Sequence, residues 1–355
     1  MRSITTTSPG ELMTATITST PDGPATPRVA RRAPRSERLT GGWLIVARKE
    51  FNDHIHSVRF VILVVLVALA GLASVHSASG PIRDAASQAT DVPSIFLYVF
   101  TLAPDRVPAF HEFIAILGPL LGIAFGFDAL NGERSQRTLP RLVAQPIHRD
   151  EVINGKFVAG LGAIALALAS VMLIVVSYGM LRLGIGPTVG ETVRIVAFFV
   201  VAVVYIALWL ALATMLSVIT RRAATAALAG IAIWLVLTLF GGLIAGLVAD
   251  TVHPVPDAAT ATPEAVLANA RLELEVRRFS PSELYQEATG VLLNPSRQST
   301  GLVVEDNTAS QALPSTLSLS ESLVLAWWQV AALVGGVVVL FAIAYTAFMQ
   351  QEVRA

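Results

Sequence analysis

Several short stretches hold residue types that do chemistry elsewhere. His111-Glu112-Phe113-Ile114-Ala115 opens as a zinc-protease helix does, where two histidines one turn apart ligate the metal and the glutamate serves as base. Its fifth residue is Ala115, so the second ligand is missing. Ile153-Asn154-Gly155-Lys156-Phe157 has the Gly-Lys of a phosphate-cradling loop. It lacks both the upstream glycine and the hydroxyl residue that would bind magnesium, so the chain carries no P-loop for ATP. His76 and Ser77 have no matched partner for a hydrolase at a defensible spacing. The six histidines are scattered over unrelated segments, and with no cysteine there is neither a thiolate ligand nor a disulfide. Neither a catalytic residue nor a metal or cofactor site is expected in this chain, and no nucleic-acid partner.

What remains is a dense polar insert. Residues 131–156, NGERSQRTLPRLVAQPIHRDEVINGK, hold five basic residues (Arg134, Arg137, Arg141, Arg149, Lys156) against three acidic ones (Glu133, Asp150, Glu151). The stretch 132–146, GERSQRTLPRLVAQP, reads as a short helix carrying Leu139, Leu142 and Val143, cut off by Pro146. A second helix then starts with Asp150 and Glu151 in its first turn, where carboxylates favour the helix dipole. Such an elbow offers apolar knobs and arginines to a partner. A basic loop can also be no more than a topological signal.

The elements that must position this insert are membrane spans. Of 355 residues 54% are hydrophobic and only 14% charged, with a mean hydropathy of +0.65, and the apolar residues come in blocks. A bilayer core needs about 20 apolar residues in a helix. Phe60–Ser79, Phe157–Leu181, Ile195–Ile219, Ala223–Ala249 and Leu323–Met349 qualify. Phe113–Phe127 is shorter and reaches full length only with Glu112 or Asp128. The expected fold is therefore an all-α integral membrane protein of six transmembrane helices. Six spans put both termini on one side with the 131–156 and 220–222 loops, and those segments carry 17 of the 25 Lys and Arg residues. The positive-inside rule makes that side cytoplasmic, in the plasma membrane. Arg59 is placed to snorkel at the start of the first span. Two polar residues sit within spans: Asp128, anchoring a helix end against Arg134, and Gln329, beside Trp327 and Trp328, hydrogen-bonding a neighbouring helix.

Residues 1–40, rich in Ser, Thr and Pro and then basic, read as a disordered cytoplasmic tail able to meet anionic lipid. The membrane domain begins at residue 41. Its first part holds Trp43, Arg48, Lys49, Glu50 and Phe51. Leu44, Ala47, Phe51, Ile55 and Val58 recur at helical spacing, as in an amphipathic helix lying on the inner membrane surface ahead of the spans in 41–249. Residues 250–321, with ten acidic and four basic residues, form a mainly helical extracytoplasmic segment between spans five and six. One helix there starts at a Thr262 cap before Pro263. Another starts at a Ser280 cap before Pro281, with Glu283 closing a capping box. Residues 322–355 supply the last span and a short cytoplasmic end.

The order Glu133, Thr138-Leu139, Leu142, then Pro146-Ile147, Arg149, Val152-Ile153 and Gly155-Lys156 leading into a helix resembles the cytoplasmic loop of ABC-2-type permeases. The segment before the first span is similar to that family's as well. The chain departs from the pattern at Arg137, where a glycine is usual, and at Val143, Ala144 and Pro140. The resemblance implies a transmembrane permease subunit of an exporter that forms a pathway as a homo- or heterodimer. It implies a separate cytoplasmic ATPase, carrying ATP and magnesium, docked on the loop (Glu133, Arg134, Thr138, Leu139, Leu142, Pro146, Arg149, Gly155, Lys156) and the surface helix. Two other readings stand beside it. An ion-coupled secondary carrier would show broken helices around a midplane site, for which the Gly118-Pro119 pair is the sign. A membrane scaffold or maturation-type permease would present its outer segment to partners.

Overall fold

A computed structural model describes residues 42–88, 94–104, 107–132, 148–255, 262–297, 299 and 316–351. The described residues are helical or connecting, and five helices are long and apolar enough to cross a membrane: α2, α5, α6, α7 and α10. In order, the helices are α1 (Gly42–Ile55), α2 (Val58–Gln88), the one-turn α3 (Tyr98–Thr101), α4 (Phe110–Gly126), α5 (Arg149–Leu183), α6 (Val189–Ile219), α7 (Ala223–Val252), α8 (Pro263–Arg277), α9 (Pro281–Leu293) and α10 (Leu319–Gln350). The chain is a multi-pass membrane protein.

The long helices outrun their apolar cores. At 35 residues α5 is roughly 52 Å long, well beyond a bilayer's hydrocarbon, so its first turns run on past the length the apolar core requires. A short link joins α5 to α6. Gly184, with φ +72, caps α5, and Thr188 caps α6 by accepting the Glu191 N–H while Glu191 accepts the Thr188 N–H. The Glu191 carboxylate also accepts the N–H of Phe96, tying the segment around α3 to the start of α6.

The most enclosed span is α6, and α4 lies directly against it. At 17 residues α4 is the apolar helix too short to count among the five. It runs unbroken through Pro119, so the interruption expected of a carrier's midplane site is not there. Its glycines recur every fourth residue, at 118, 122 and 126, and let the two backbones touch. A Cβ on Gly122 would stand 2.6 Å from the Ile206 carbonyl oxygen and 2.8 Å from the Leu210 nitrogen. Phe100, Phe110 and Phe198 pack edge to face above this contact, and Tyr205 of α6 stacks on Tyr285 of α9 at 4.5 Å while donating to the Ala115 carbonyl.

That stacking places part of residues 250–321 within the bundle. Thr262 caps α8 as the sequence predicts, with Pro263 in the first turn. Ser280 and Pro281 do begin α9, but no capping box forms: Ser280 Oγ pairs with Ser282 Oγ, and Glu283 turns to Arg277. The hairpin is not a cap set apart from the bundle. Asn269 of α8 donates to Asp250 and to the His253 carbonyl at the end of α7, so α8 runs back along α7. Then α9 returns between α4, α6 and α10, with Tyr285, Ala288, Val291 and Leu292 fully buried.

Buried polar contacts hold it there. Glu287 accepts from Arg278 at 3.0 Å and from Gln329 Nε2 at 2.9 Å, and Arg278 lies 4.8 Å over the Trp328 ring. The expected helix-to-helix hydrogen bond of Gln329 thus has Glu287 as partner.

Candidate functional site

Of the polar insert the described residues end at Gly132 and resume at His148. Residues Glu133, Arg134, Thr138, Leu139, Leu142 and Pro146 lie outside the described residues. Both roots of the insert are described, and their anchoring defines the site.

The leading root follows α4. The Leu130 and Asn131 N–H groups donate to Ser217 Oγ, and Asn131 Nδ2 donates to Thr220 Oγ1, fastening the root to the end of α6. Asp128 takes Arg59 as its partner at 2.6 Å, and the guanidinium lies 5.2 Å over the Phe127 ring. Arg59 therefore bridges the start of α2 to the end of α4 rather than merely snorkelling. The pair is partly exposed, so it contributes at most about 1 kcal/mol. Its consequence is positional.

The returning root is the start of α5. Glu151 accepts the His148 N–H, and Asp150 and Glu151 occupy the first turn, as read from the sequence. Arg149 donates to the Gln351 carbonyl at 2.9 Å, and Gln351 Nε2 donates to the Val218 carbonyl, so α5, α10 and α6 are joined where they end. Gly155 lets α1 come close: a Cβ there would meet the Trp43 carbonyl oxygen at 2.7 Å and Val46 Cβ at 2.8 Å. One position on, Lys156 Nζ reaches Glu50 at 3.0 Å, both nearly enclosed. Lys49, on the open side, reaches Glu50 at 3.1 Å and Asp53 at 2.9 Å. A buried ion pair is weak evidence of stability, but its directionality fixes which turn of α1 meets which turn of α5.

Helix α1 is separate from α2. Ser57 interrupts the two and accepts the Phe60 N–H at 3.2 Å. Its docked face shares Ala47 and Phe51 with the predicted stripe but is rotated from it. Val46, Ala47, Glu50, Phe51 and His54 turn inward, with Phe51 against Gly162, while Leu44 and Val58 are exposed beside Trp43, Ile45 and Arg48. Hydropathy could not foresee this rotation, because the polar Glu50 is drawn inward by Lys156.

His54 closes the site. Its ring meets Phe125 edge-on at 5.2 Å, beside a cavity of about 270 Å³ that Lys49, Glu50, Arg59, Asp128 and Lys156 also line. Burial holds the imidazole below its ordinary pKa; Glu50 and Asp128 pull it up, and Lys156 and Arg59 push it down. The folded chain therefore binds fewer protons here than the unfolded one. The stability this contributes is complete above about pH 6.5 and is lost progressively as pH falls from there through the lower value of the folded state. Thermal melting in micelles should show a drop on acidification that His54→Gln diminishes; an identical pH slope in the variant would contradict this.

No bond-making arrangement emerges. Among the described residues no three His, Asp or Glu side chains converge to hold a metal ion. What the geometry provides is mechanical: a loop whose two roots are bonded to α1, α2, α6 and α10 as well as to its own helices. Sequence reasoning located the loop, Arg149, Gly155, Lys156 and Asp128. It missed Arg59 as the partner of Asp128, Glu50 as that of Lys156, and the Ser217, Thr220 and Gln351 ties, which join positions far apart in the chain.

No curated protein compared with the chain matches it. A family model, described as ABC-2 family transporter protein, matches residues 44–353. That match runs from the first turn of α1 past the end of α10 and takes in the anchored loop, so the chain belongs to the ABC-2 transporter family, as a permease-type membrane protein.

Proposed function

We propose that this chain is the permease subunit of an ABC-2 exporter, working as a dimer and driven by a separate cytoplasmic ATPase that docks on residues 131–156. The short α4 is the sixth span, both termini face the cytoplasm with the loop, and residues 250–321 belong to the opposite side, from which the α8–α9 hairpin dips into the bundle. Residues 41–249 and 322–355 form the membrane domain, with 1–40 as a cytoplasmic tail. ATP and magnesium reside in the partner.

The observation that carries this reading is the anchoring of the loop's two roots. Nucleotide in another subunit can shift a membrane equilibrium only through contacts that differ between the two states. A push on a loop tied to Arg59 of α2, Glu50 of α1, Ser217 of α6 and Gln351 after α10 displaces helices across the whole bundle. A loop tethered only to its own two helices would dissipate it. Arginine with apolar anchors is also what a protein partner's docking surface uses.

Affinity purification of the full chain in mild detergent tests the assignment. The wild type should recover an ATP-hydrolysing subunit. Arg149→Glu should lower that recovery roughly tenfold, the factor that 1.4 kcal/mol represents. ATP-independent transport by the chain alone in liposomes would overturn the proposal.

A further inference from the structure

The α8–α9 hairpin brings ionised groups beside the middle of the apolar helix α7. Thr238 stands at the centre of the 30-residue α7, inside the π-helical segment Val236–Phe240. Facing it, Arg277, Glu283 and Gln286 of the hairpin tip line a recess of about 380 Å³. Its floor is Gly241 and Gly242, where an added Cβ would meet nothing within 4 Å. Arg277 and Glu283 pair at 3.0 Å, with 44% and 20% of their side chains exposed.

Each ionised side chain at mid-bilayer costs about 2.5–3.5 kcal/mol on insertion scales. The pair is not what holds α9 in place, since Arg278, Glu287 and Gln329 do that on its other face. Thr238 adds a second anomaly. Its Oγ1 is buried and has no hydrogen-bond partner among the described residues, a state that costs about 1–3 kcal/mol. A π-helical segment also interrupts the regular bonding of a helix, and such segments concentrate at functional sites. Beside these polar groups, Leu239 and Leu243 present open apolar surface, 61% and 70% exposed.

We propose that this recess binds the head of a zwitterionic amphiphile, its tail lying along Leu239 and Leu243. The charges that line the recess are one cation and one anion; Glu273, 3.9 Å from Arg277, lies outside the lining. A ligand of net charge would leave an uncompensated ion in a low-dielectric site. A zwitterion sets its anionic group on Arg277 and its cationic group on Glu283, while Thr238 and Gln286 take hydrogen bonds. The inference rests on the permease reading for its meaning, as a contact with cargo, but its geometry belongs to this chain alone.

The test uses the full chain in maltoside micelles, without any ATPase. Three amphiphiles share one photoreactive tail and differ in head group: phosphocholine, sulfate or trimethylammonium. The phosphocholine probe should label peptides of α7 and α9 saturably, roughly tenfold better than the other two, a factor equivalent to about 1.4 kcal/mol. Glu283→Gln should shift preference to the sulfate probe and Arg277→Gln to the trimethylammonium probe. Thr238→Val should weaken phosphocholine labelling severalfold without lowering the melting temperature, which keeps the test valid should either charge variant fail to fold. Labelling that does not saturate, or a head-group preference that the charge variants leave alone, overturns the site. Saturable labelling without a copurifying ATPase would uphold the site and topple the permease proposal. A copurifying ATPase with diffuse labelling would topple the site alone.

Discussion

Gly122→Val is expected to keep the chain from assembling its bundle. A Cβ at this position would lie 2.6 Å from the Ile206 carbonyl oxygen, 2.7 Å from Trp209 Cβ and 2.8 Å from the Leu210 nitrogen. Two of these three are backbone atoms of α6, whose interior turns are enclosed on several sides and cannot give way as a flexible side chain would. Overpacking typically costs about 1–3 kcal/mol, occasionally more. Two further methyl groups against rigid backbone place this variant at or above the upper end. That is a large share of the roughly 5–15 kcal/mol by which native proteins are stable. Gly118→Ala provides the comparison, because its Cβ would meet the movable Ile206 Cγ1 at 3.0 Å and the Tyr205 ring at 3.2 Å. Size-exclusion profiles and thermal melting of the two variants in detergent decide the matter. Gly118→Ala should remain monodisperse with a small shift, and Gly122→Val should aggregate or melt far lower. Wild-type behaviour of Gly122→Val would mean that α4 does not lie backbone to backbone on α6.

The same glycines show what was legible in the sequence. Hydropathy located the five long spans because each is one uninterrupted apolar run, and it graded 113–127 as short, which α4 is. The helix ends were misplaced where ionised residues find protein partners instead of water. The predicted start of the fourth span at Ile195 excluded Glu191 and Arg194, yet both lie inside α6, where one holds the Phe96 N–H and the other reaches α9 and α10. Residues 149–156 belong to the same helix as the apolar run they precede, as the sequence predicts; only the Glu50 partner of Lys156 was not legible there.

The four-residue spacing of Gly118, Gly122 and Gly126 was in plain view, but which helix it faces is a tertiary fact. The depth of α9 was less accessible still. The Thr262 cap of α8 and the helix start at Pro281 were readable, though the capping box expected at Ser280 does not form. A segment with six more acidic than basic residues nevertheless reads as solvated, and only the convergence of Arg278 and Gln329 on Glu287 makes burial affordable. Of the candidate site, the loop was recognisable from its motif, whereas its ties to α6 and α10 required the fold.

Arg194→Met should release the α8–α9 hairpin from the bundle. The Arg194 side chain is buried near the start of α6. One amino group donates to the Leu292 carbonyl at 2.9 Å and to Ser322 Oγ at 3.0 Å, the other to the Leu317 carbonyl. Methionine keeps much of the aliphatic volume, so packing is nearly conserved and the lost interactions are polar. Replacing a buried ion by an apolar residue can be neutral or even stabilising when its partners vanish with it. Here they stay. The Leu292 carbonyl is among the last of α9 and has no donor within its helix, and the Leu317 carbonyl precedes the cap of α10. With hydrogen bonds to charged groups worth about 1.5–3 kcal/mol each, and buried acceptors left unmet, the expected loss is on the order of 3–5 kcal/mol. Hydrogen exchange should quicken across 281–293 while 157–181 keeps its protection, because the hairpin opens without unfolding α5. Ser322→Ala should cost about 1 kcal/mol in the wild type and close to nothing in the Arg194→Met background, since the bond it removes is already gone. Unchanged exchange in α9, or full additivity of the two substitutions, would mean that the hairpin is held by the Tyr205–Tyr285 stack and the Glu287 contacts instead.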